Sequence, residues 1–566
     1  VRTGEMPPLG LPKPEEALRA SFVAFLESQL DRASAAKANP GAPAIHRLNR
    51  AEYSNAVRDL LALDLDHAAN LPADDSGYGF DNIGGALTVS PLHMEKYMSA
   101  ARRVSRLAVG TVKPSPSIER FNAPRGGSAD TDGLPLAERN GVVFKRYFPL
   151  DAEYAILVRV RGNPPPNSPP AQLDLRIDGR RAKLFEVAIN TAEEAQGTRN
   201  YELSLPMKAG MHTLGAGFLS ESWKVEGGPV AGRRGAPAPQ FTAPGVDYVQ
   251  IGGPNHPTGP GDTESRKRIF ICRPAAGQAE EPCANKILTS LARQAYRRPV
   301  GPADLAPLMK LFAAGRGVDG NGGGNFDTGI ETSLRAILVS PDFLFRVERD
   351  PAGAAPGTVN PVSDLELASR LSFFLWSSIP DEELLQLAAQ GKLHGQAVQD
   401  QQVRRMLCDP KSKALVDNFA GQWLRLRNIG EWRPDPEKFP QFDEALRSAM
   451  RREPEMFFDY IMREDRSVLD LVDADYTFLN ERLARHYGIE GVRGSYFRRV
   501  PVTGPERGGI LTQAGILMVT AYPTRTSPVL RGKWILESLL GAPPPPPPPD
   551  VPPLEESTAG SPKNLR

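Results

Sequence analysis

Cysteine is nearly absent. The chain has three in 566 residues, Cys272, Cys283 and Cys408, with no CxxC spacing. A structural zinc site, which needs clustered thiolate or imidazole ligands, is not expected. Histidine is also scarce, at seven, and no two lie three or four residues apart, so a His-rich metal centre is not expected either. An excess of one charge is missing. Sixty-eight Lys and Arg against 67 Asp and Glu leave +1, which gives no electrostatic footprint for nucleic acid. No apolar run approaches the roughly 20 residues that a membrane-spanning helix needs. HExxH, GxSxG, GxxxxGK(S/T) and a GxGxxG after a strand are all missing. No nucleophile–base pair stands out, which disfavours a hydrolase. Paired carboxylates stay open, because Asp and Glu are abundant and only a fold shows which of them meet.

What is present is length, proline and glycine. At 566 residues the chain exceeds one core and implies about three to five domains. The 55 prolines and 52 glycines imply long loops and linkers. Residues 15–32, EEALRASFVAFLESQLDR, put Leu18, Phe22, Phe25, Leu26 and Leu30 on one face of a helix. In 46–110, HRLNRAEYSNAVRDLLAL turns Tyr53, Val57, Leu60 and Leu61 inward. SPLHMEKYMSAARRVSRLAV then starts a helix with Ser90 as N-cap and Pro91 at the first helical position. Between 141 and 253 the period changes to two. EYAILVRVRG, AQLDLRIDGRRAKLFEV, YELSLPMKAGMHTLGAGFL and VDYVQIGGP alternate apolar and polar residues, with Asp178-Gly179 as a hairpin turn. Five or more antiparallel strands there read as a β-sandwich. PNHPTGPGDTESRK, 254–267, reads as a linker, and helical patterns return over 281–345 and 362–490. Seven prolines at 543–549 read as a polyproline spacer.

The expected fold class is multidomain α+β: mainly α-helical domains with one inserted, jelly-roll-like antiparallel β-sandwich. The expected boundaries are 41–112 for a small helical domain, 136–255 for the sandwich and 256–280 for a linker with a cysteine loop. Helical domains follow at 281–350 and 358–495, and a helical segment with the proline spacer at 503–566.

Few residues invite chemistry. Cys272 and Cys283 flank the loop ICRPAAGQAEEPC, and a disulfide and two free thiols are both open readings. Cys408 reads as a buried, small apolar residue. Asp74, Asp75 and Asp81 in DDSGYGFDN place oxygen ligands around glycines as calcium loops do, without the EF-hand spacing or its closing Glu. A tight Asp/Gly turn is the blander alternative, and DGNGGGNFD, 319–327, has the same ambiguity. His46, His93 and His486 each sit at a helix edge as candidate ligands or catalytic groups. Trp223 and Tyr248 are candidates for stacking on a sugar, with the core as the alternative place for both. In Thr524-Arg525-Thr526-Ser527-Pro528, Ser527 is a candidate N-cap with Pro528 at the first helical position. Arg525 and the nearby Arg531 are candidates to hold a carboxylate or phosphate. Met6, in GEMPPLGLPKPEE, carries a soft thioether of the kind that ligates haem iron or copper.

A set of longer motifs carries a resemblance. RLNRAEYSNAVRDLL with LPADDSGYGFDN, then LARQAYRRPV, SPDFLFRVE, LASRLSFFLWSSIPDEEL, DNFAGQWLRLRNI and RGGILTQAGILMVTAYPTRTSPVLRGKWILESLLGAPPPPPPP run in this order through the chain. They resemble the planctomycete secreted domains, domains of unknown function that occur together in large exported proteins. The resemblance implies an exported protein, periplasmic or at the cell surface. It implies a cytochrome c-like module at the start, of which 1–40 would be the tail, with Met6 as axial haem ligand and 15–32 as the closing helix. CxxCH is present at neither end, so haem c is expected to be bound by regions missing from this chain, which would be truncated at both ends. The sandwich looks similar to carbohydrate-binding modules, some of them calcium-dependent. Two functions follow as expectations. One is an exported, haem-linked electron-transfer protein with a redox partner, acting on or bound to polysaccharide; if it is an enzyme, it is a cytochrome c-linked oxidoreductase. The other is a non-catalytic scaffold that grips an extracellular polysaccharide.

Overall fold

The alternation of period two builds eight strands: β1 (Ser117–Asn122), β2 (Glu138–Phe148), β3 (Asp151–Arg161), β4 (Ala171–Ile177), β5 (Arg180–Val187), β6 (Arg199–Met207), β7 (Gly210–Leu219) and β8 (Gly245–Gly259). They form two four-stranded antiparallel sheets, ordered β1-β8-β3-β6 and β2-β7-β4-β5. In this computed structural model the described residues are 11–36, 41, 45–113, 115–123, 138–162, 170–187, 199–219, 244–317, 324–351, 353–355, 358–502, 504 and 506–544. Met6, Trp223, Asp319 and most of the proline run 543–549 lie outside them. The rest is mainly helical, so the fold is multidomain α+β with a jelly-roll-like antiparallel sandwich inserted among helices.

The sandwich core follows directly from the alternation. On β3 every second residue from Ala152 to Val160 is buried. Tyr154, Ile156 and Val158 pack with Leu173 and Leu175 of β4, Leu214 and Phe218 of β7, and Val249 and Ile251 of β8. Each fully buried aliphatic side chain contributes about 1.5–3 kcal/mol. Asp178 and Gly179 both take positive φ, 50° and 75°, and turn β4 tightly into β5.

Two boundaries differ from expectation. β1 precedes the expected sandwich boundary at 136. β1 is an edge strand with exposed residues at five of its six positions, so its apolar alternation is too weak to read. β8 runs to Gly259, into the stretch that reads as a linker, and a helix capped by Thr263, Glu264–Ile269, follows it. Pro254 lacks an N–H, and the register between β3 and β8 shifts on both sides of Glu153, which is how a proline is accommodated in a ladder.

The chain divides into two compact units, Val1–Lys113 with Asp262–Met406 and Pro114–Gly261 with Leu407–Arg566. In the first, Arg50–Leu61 buries Tyr53, Val57, Leu60 and Leu61. Pro91–Val109 starts at the Ser90 cap and buries Tyr97, Ala101 and Val104. His46–Arg47 pairs antiparallel with Phe345–Arg346, and the Leu48 amide donates to the Leu344 carbonyl at 2.8 Å. The stretches expected as separate domains at 41–112 and 281–350 therefore pack within one unit. The helix Glu16–Ala36 forms as its pattern predicts, but Leu18, Phe22, Phe25, Leu26 and Leu30 are all exposed.

In the second unit the helical part is built on Glu444–Arg463, whose Phe457 joins Leu424, Ile510, Ile516 and Trp534 in one core. A short ribbon, Tyr476–Leu479 against Arg498–Pro501, lies beside it in sequence. Cys408 is not buried. It ends the helix Gln396–Cys408, which buries Gln402 and Met406, and is itself exposed. Two residues beyond Met406 is about 200° around the helix, on the opposite face.

Candidate functional site

The acidic loop is occupied by the protein itself. Asp74 accepts from the Arg47 guanidinium at 2.8 Å and from the Arg50 amide at 2.7 Å, and both side chains of the Arg47–Asp74 pair are buried. Asp81 accepts from the Asn49 side chain at 2.9 Å, and Asp75 from the Thr88 hydroxyl at 3.3 Å. The three carboxylates serve four different donors of the protein itself. Among the described residues no three His, Cys, Asp or Glu gather as a metal site. His46 pairs with Glu52 at 3.1 Å, and His93 closes the capping box with Ser90. His486 is exposed at the end of Glu481–Tyr487. Cys272 and Cys283 are joined as a disulfide. Ser527 caps Pro528–Trp534, accepting from the Leu530 amide at 3.2 Å, while Arg525 and Arg531 line a cavity of the helical part.

Arginines gather in the first unit, in a cleft of about 780 Å³ lined by Arg297, Arg298, Arg346, Arg349 and Arg370. Most of their charge is spent internally. Arg298 reaches Asp304 and Asp342 at 2.9 and 3.1 Å, and Arg370 pairs with Glu348. Arg297 donates to the carbonyls of Ala295, Asp342, Phe343 and Phe345. Burial, with Arg346 nearby, pulls its pKa down to about 10. Burial alone would raise the pKa of Glu52, but His46, Arg346 and the Asn49 amide hold it below the usual carboxylate value. This cleft is a compensated network that ties the 46–110 and 283–348 stretches together.

The sandwich is compensated differently on its two charges. Four of its carboxylates are engaged by basic side chains, and Glu202 stands on the outward face opposite Leu157. Asp174, fully buried, accepts from Arg176 and Arg181 at 2.9 Å each. Asp151 accepts from Lys208 and the Ala209 amide, which outweigh its burial and lower its pKa. Glu119 holds Arg146, and Asp178 holds His212. On the outward face of the β1-β8-β3-β6 sheet the cations are not paired in this way. Register places Tyr248 opposite both Asn122 of β1 and Arg159 of β3, and Gln250 opposite Arg120 and Leu157. The Arg120 guanidinium lies 4.1 Å from the Tyr248 ring centroid, and Arg159 donates to the Tyr248 hydroxyl at 3.2 Å. The Arg159 Nε has no partner. Neither arginine meets a carboxylate within ion-pair distance among the described residues. Tyr248 is half-buried on this face rather than in the core, because the inward positions of β8 are taken by Val249 and Ile251.

Such a face presents two planar guanidinium forks beside an aromatic ring and amide side chains. Guanidinium forks bind carboxylates bidentately, and their stacking on a ring fixes their planes beforehand. Tyr248 was legible as a candidate. Arg120 and Arg159 were not, because they meet it only through strand register.

Four segments match family models. Residues 46–110 match PSD3, protein of unknown function (DUF1587), and 283–348 match PSD5, protein of unknown function (DUF1595). Residues 362–489 match PSD4, protein of unknown function (DUF1592), and 507–566 match PSCyt3, protein of unknown function (DUF1588). These are the planctomycete-type domains of unknown function. No curated protein matches the chain. Among solved structures, a CBM36-1 domain of a multidomain xylanase from the hindgut metagenome of Trinervitermes trinervoides aligns at 16% identity and a TM-score of 0.16, over 25% of this chain and 98% of that one. A family 35 carbohydrate binding module from Clostridium thermocellum aligns at 13% identity and a TM-score of 0.14, over 25% of this chain and 98% of that one. A CBM36 module in complex with calcium and xylotriose aligns at 17% identity and a TM-score of 0.14, over 25% and 95%. At such TM-scores these likenesses carry no argument.

Proposed function

We propose that the chain is the binding part of an exported protein, and that its sandwich takes an acidic polysaccharide on the outward face of the β1-β8-β3-β6 sheet. The observation that carries this reading is the pair Arg120 and Arg159, stacked on or bonded to Tyr248 and lacking carboxylate partners. Uronate carboxylates supply the missing charge, and Asn122, Gln250 and Asn200 border the same face with amide groups that suit sugar hydroxyls. The polymer repeats, so several weak contacts along one chain add up to firm retention. The test is affinity electrophoresis of the whole chain through gels containing polygalacturonate or a neutral xylan, with and without calcium. Retardation by the uronate polymer alone is expected, and Arg120→Gln with Arg159→Gln should abolish it. Free migration in every gel refutes the reading.

A second reading, haem-linked electron transfer, is favoured by the cytochrome-like name of the model that matches 507–566. The residues of this chain do not fit covalent haem. Cys272 and Cys283 are bonded to each other and Cys408 stands alone, so no cysteine pair attaches a porphyrin. The reading requires a haem c module elsewhere in the protein, with Met6 as its axial ligand. Met6→Ala in the complete protein would then change the visible spectrum of the reduced haem, and an unchanged spectrum removes Met6 from that role.

A further inference from the structure

A cavity of about 530 Å³ opens in the helical part of the second unit. One wall is apolar: Phe442, Leu446 and Met450 on the side of Glu444–Arg463, Leu517 and Met518 from Ala514–Val519. Arg507, Arg525 and Arg531 line the same cavity. This size and this mixture of an apolar wall with a few convergent polar groups are those of small-ligand sites.

The three arginines differ from those of the cleft in the first unit. Arg507 lies 3.7 Å from the Tyr487 ring centroid and gives one nitrogen to the Thr512 carbonyl at 2.7 Å. Arg525 lies 4.6 Å from the Tyr522 ring centroid. Arg531 donates to the Thr526 hydroxyl at 3.1 Å, and its Nε is buried without a partner. None has a carboxylate within ion-pair distance among the described residues. Glu453, whose charge bears on Arg507, is fully buried and engaged by Thr477 at 2.6 Å and Tyr487 at 2.5 Å. Burial pushes its pKa up to about 7, so near neutrality it carries at most part of one negative charge, felt by Arg507 alone of the three. The structure thus gathers three arginines with spare donors beside an apolar wall, and none of them is in an ion pair with a carboxylate among the described residues.

We infer that this cavity binds an amphipathic organic anion, a monocarboxylate with an aliphatic or aromatic body. The carboxylate lies among Arg507, Arg525 and Arg531, where planar forks satisfy both oxygens. The body covers Phe442 and Met518, which are only partly buried and whose remaining exposure to water is otherwise unfavourable. An inorganic anion would answer the charge and leave that wall wet. The flexible thioethers of Met450 and Met518 adapt to bodies of different outline.

The test is isothermal titration of the whole chain with sodium decanoate below its micelle concentration, with decanol and inorganic phosphate as separate arms. Saturable decanoate binding at one site is expected, with decanol at least tenfold weaker and phosphate giving no measurable heat. Raising the salt should weaken decanoate and leave decanol unchanged, a comparison that needs no variant. Arg525→Gln with Arg531→Gln should weaken decanoate at least tenfold and spare decanol. Equal affinity for decanoate and decanol would overturn the inference, since the arginines would then play no part. Phosphate binding without decanoate binding would overturn it in favour of a plain phosphate site. No binding in any arm, or binding at several sites that ignores the double substitution, would also overturn it.

Discussion

Glu453 offers a prediction whose sign and size both follow from its surroundings. The side chain sits on Glu444–Arg463, fully buried, where Thr477 and Tyr487 donate to its two oxygens. Burial disfavours the charged form more than these bonds favour it, and the folded pKa rises from 4.5 to about 7. The folded state therefore holds a proton that the unfolded state releases between about pH 4.5 and pH 7. Its contribution to stability is complete below pH 4.5 and falls as pH rises through 7. A shift of that size corresponds to about 3 kcal/mol at most. Glu453→Gln has nearly the shape of the protonated acid and cannot ionise. It should leave stability near pH 5 within about 1 kcal/mol of the parent and, above pH 7.5, exceed the parent by about 2–3 kcal/mol. Urea unfolding followed by tryptophan fluorescence at half-unit steps from pH 4.5 to 8.5 reads this difference. A difference between variant and parent that stays constant across the range would refute a buried, proton-retaining Glu453. A variant that is less stable at high pH would reverse the sign and show that the carboxylate is the favoured form.

Other perturbations have simpler outcomes. Asp74→Ala leaves the buried Arg47 guanidinium without its carboxylate, which should cost about 3–5 kcal/mol; added calcium should not restore the melting temperature of this variant. Opening the Cys272–Cys283 link, which spans 11 residues, by Cys272→Ser with Cys283→Ser should lower stability by about 3 kcal/mol, read as a lower urea midpoint. Ser527→Ala removes the acceptor at the start of Pro528–Trp534 and should cost about 1 kcal/mol, visible in a thermal melt.

Local chemistry in the sequence is what the structure reproduces most closely. Ser90-Pro91 and Ser527-Pro528 start helices because a hydroxyl and a fixed φ act within one turn. Asp178-Gly179 turns because those two residues tolerate positive φ. β3 is visible because one face is buried and the other is not. β1 was hidden because an edge strand keeps polar residues on both faces. The sandwich's last strand was cut short in the reading because prolines signal a linker, whereas here a register shift absorbs them. Asp74, Asp75 and Asp81 look like a ligand set in one dimension, but each is taken by a different donor of the protein: Arg47 and Asn49, from one short stretch, hold Asp74 and Asp81, and Thr88 holds Asp75. The converse holds for Arg120, Tyr248 and Arg159, which are scattered in sequence and meet only through strand register, whereas Arg525 and Arg531 stand close in sequence and helix packing adds Arg507 to them.

The most direct test of the central proposal is hydrogen exchange of the whole chain, with and without a soluble polygalacturonate, followed by peptide. Slower exchange confined to 117–122, 155–161 and 246–252 is predicted, since these strands carry Arg120, Arg159 and Tyr248 on one face. Unchanged exchange in those strands at saturating polymer, or protection only elsewhere in the chain, would contradict it.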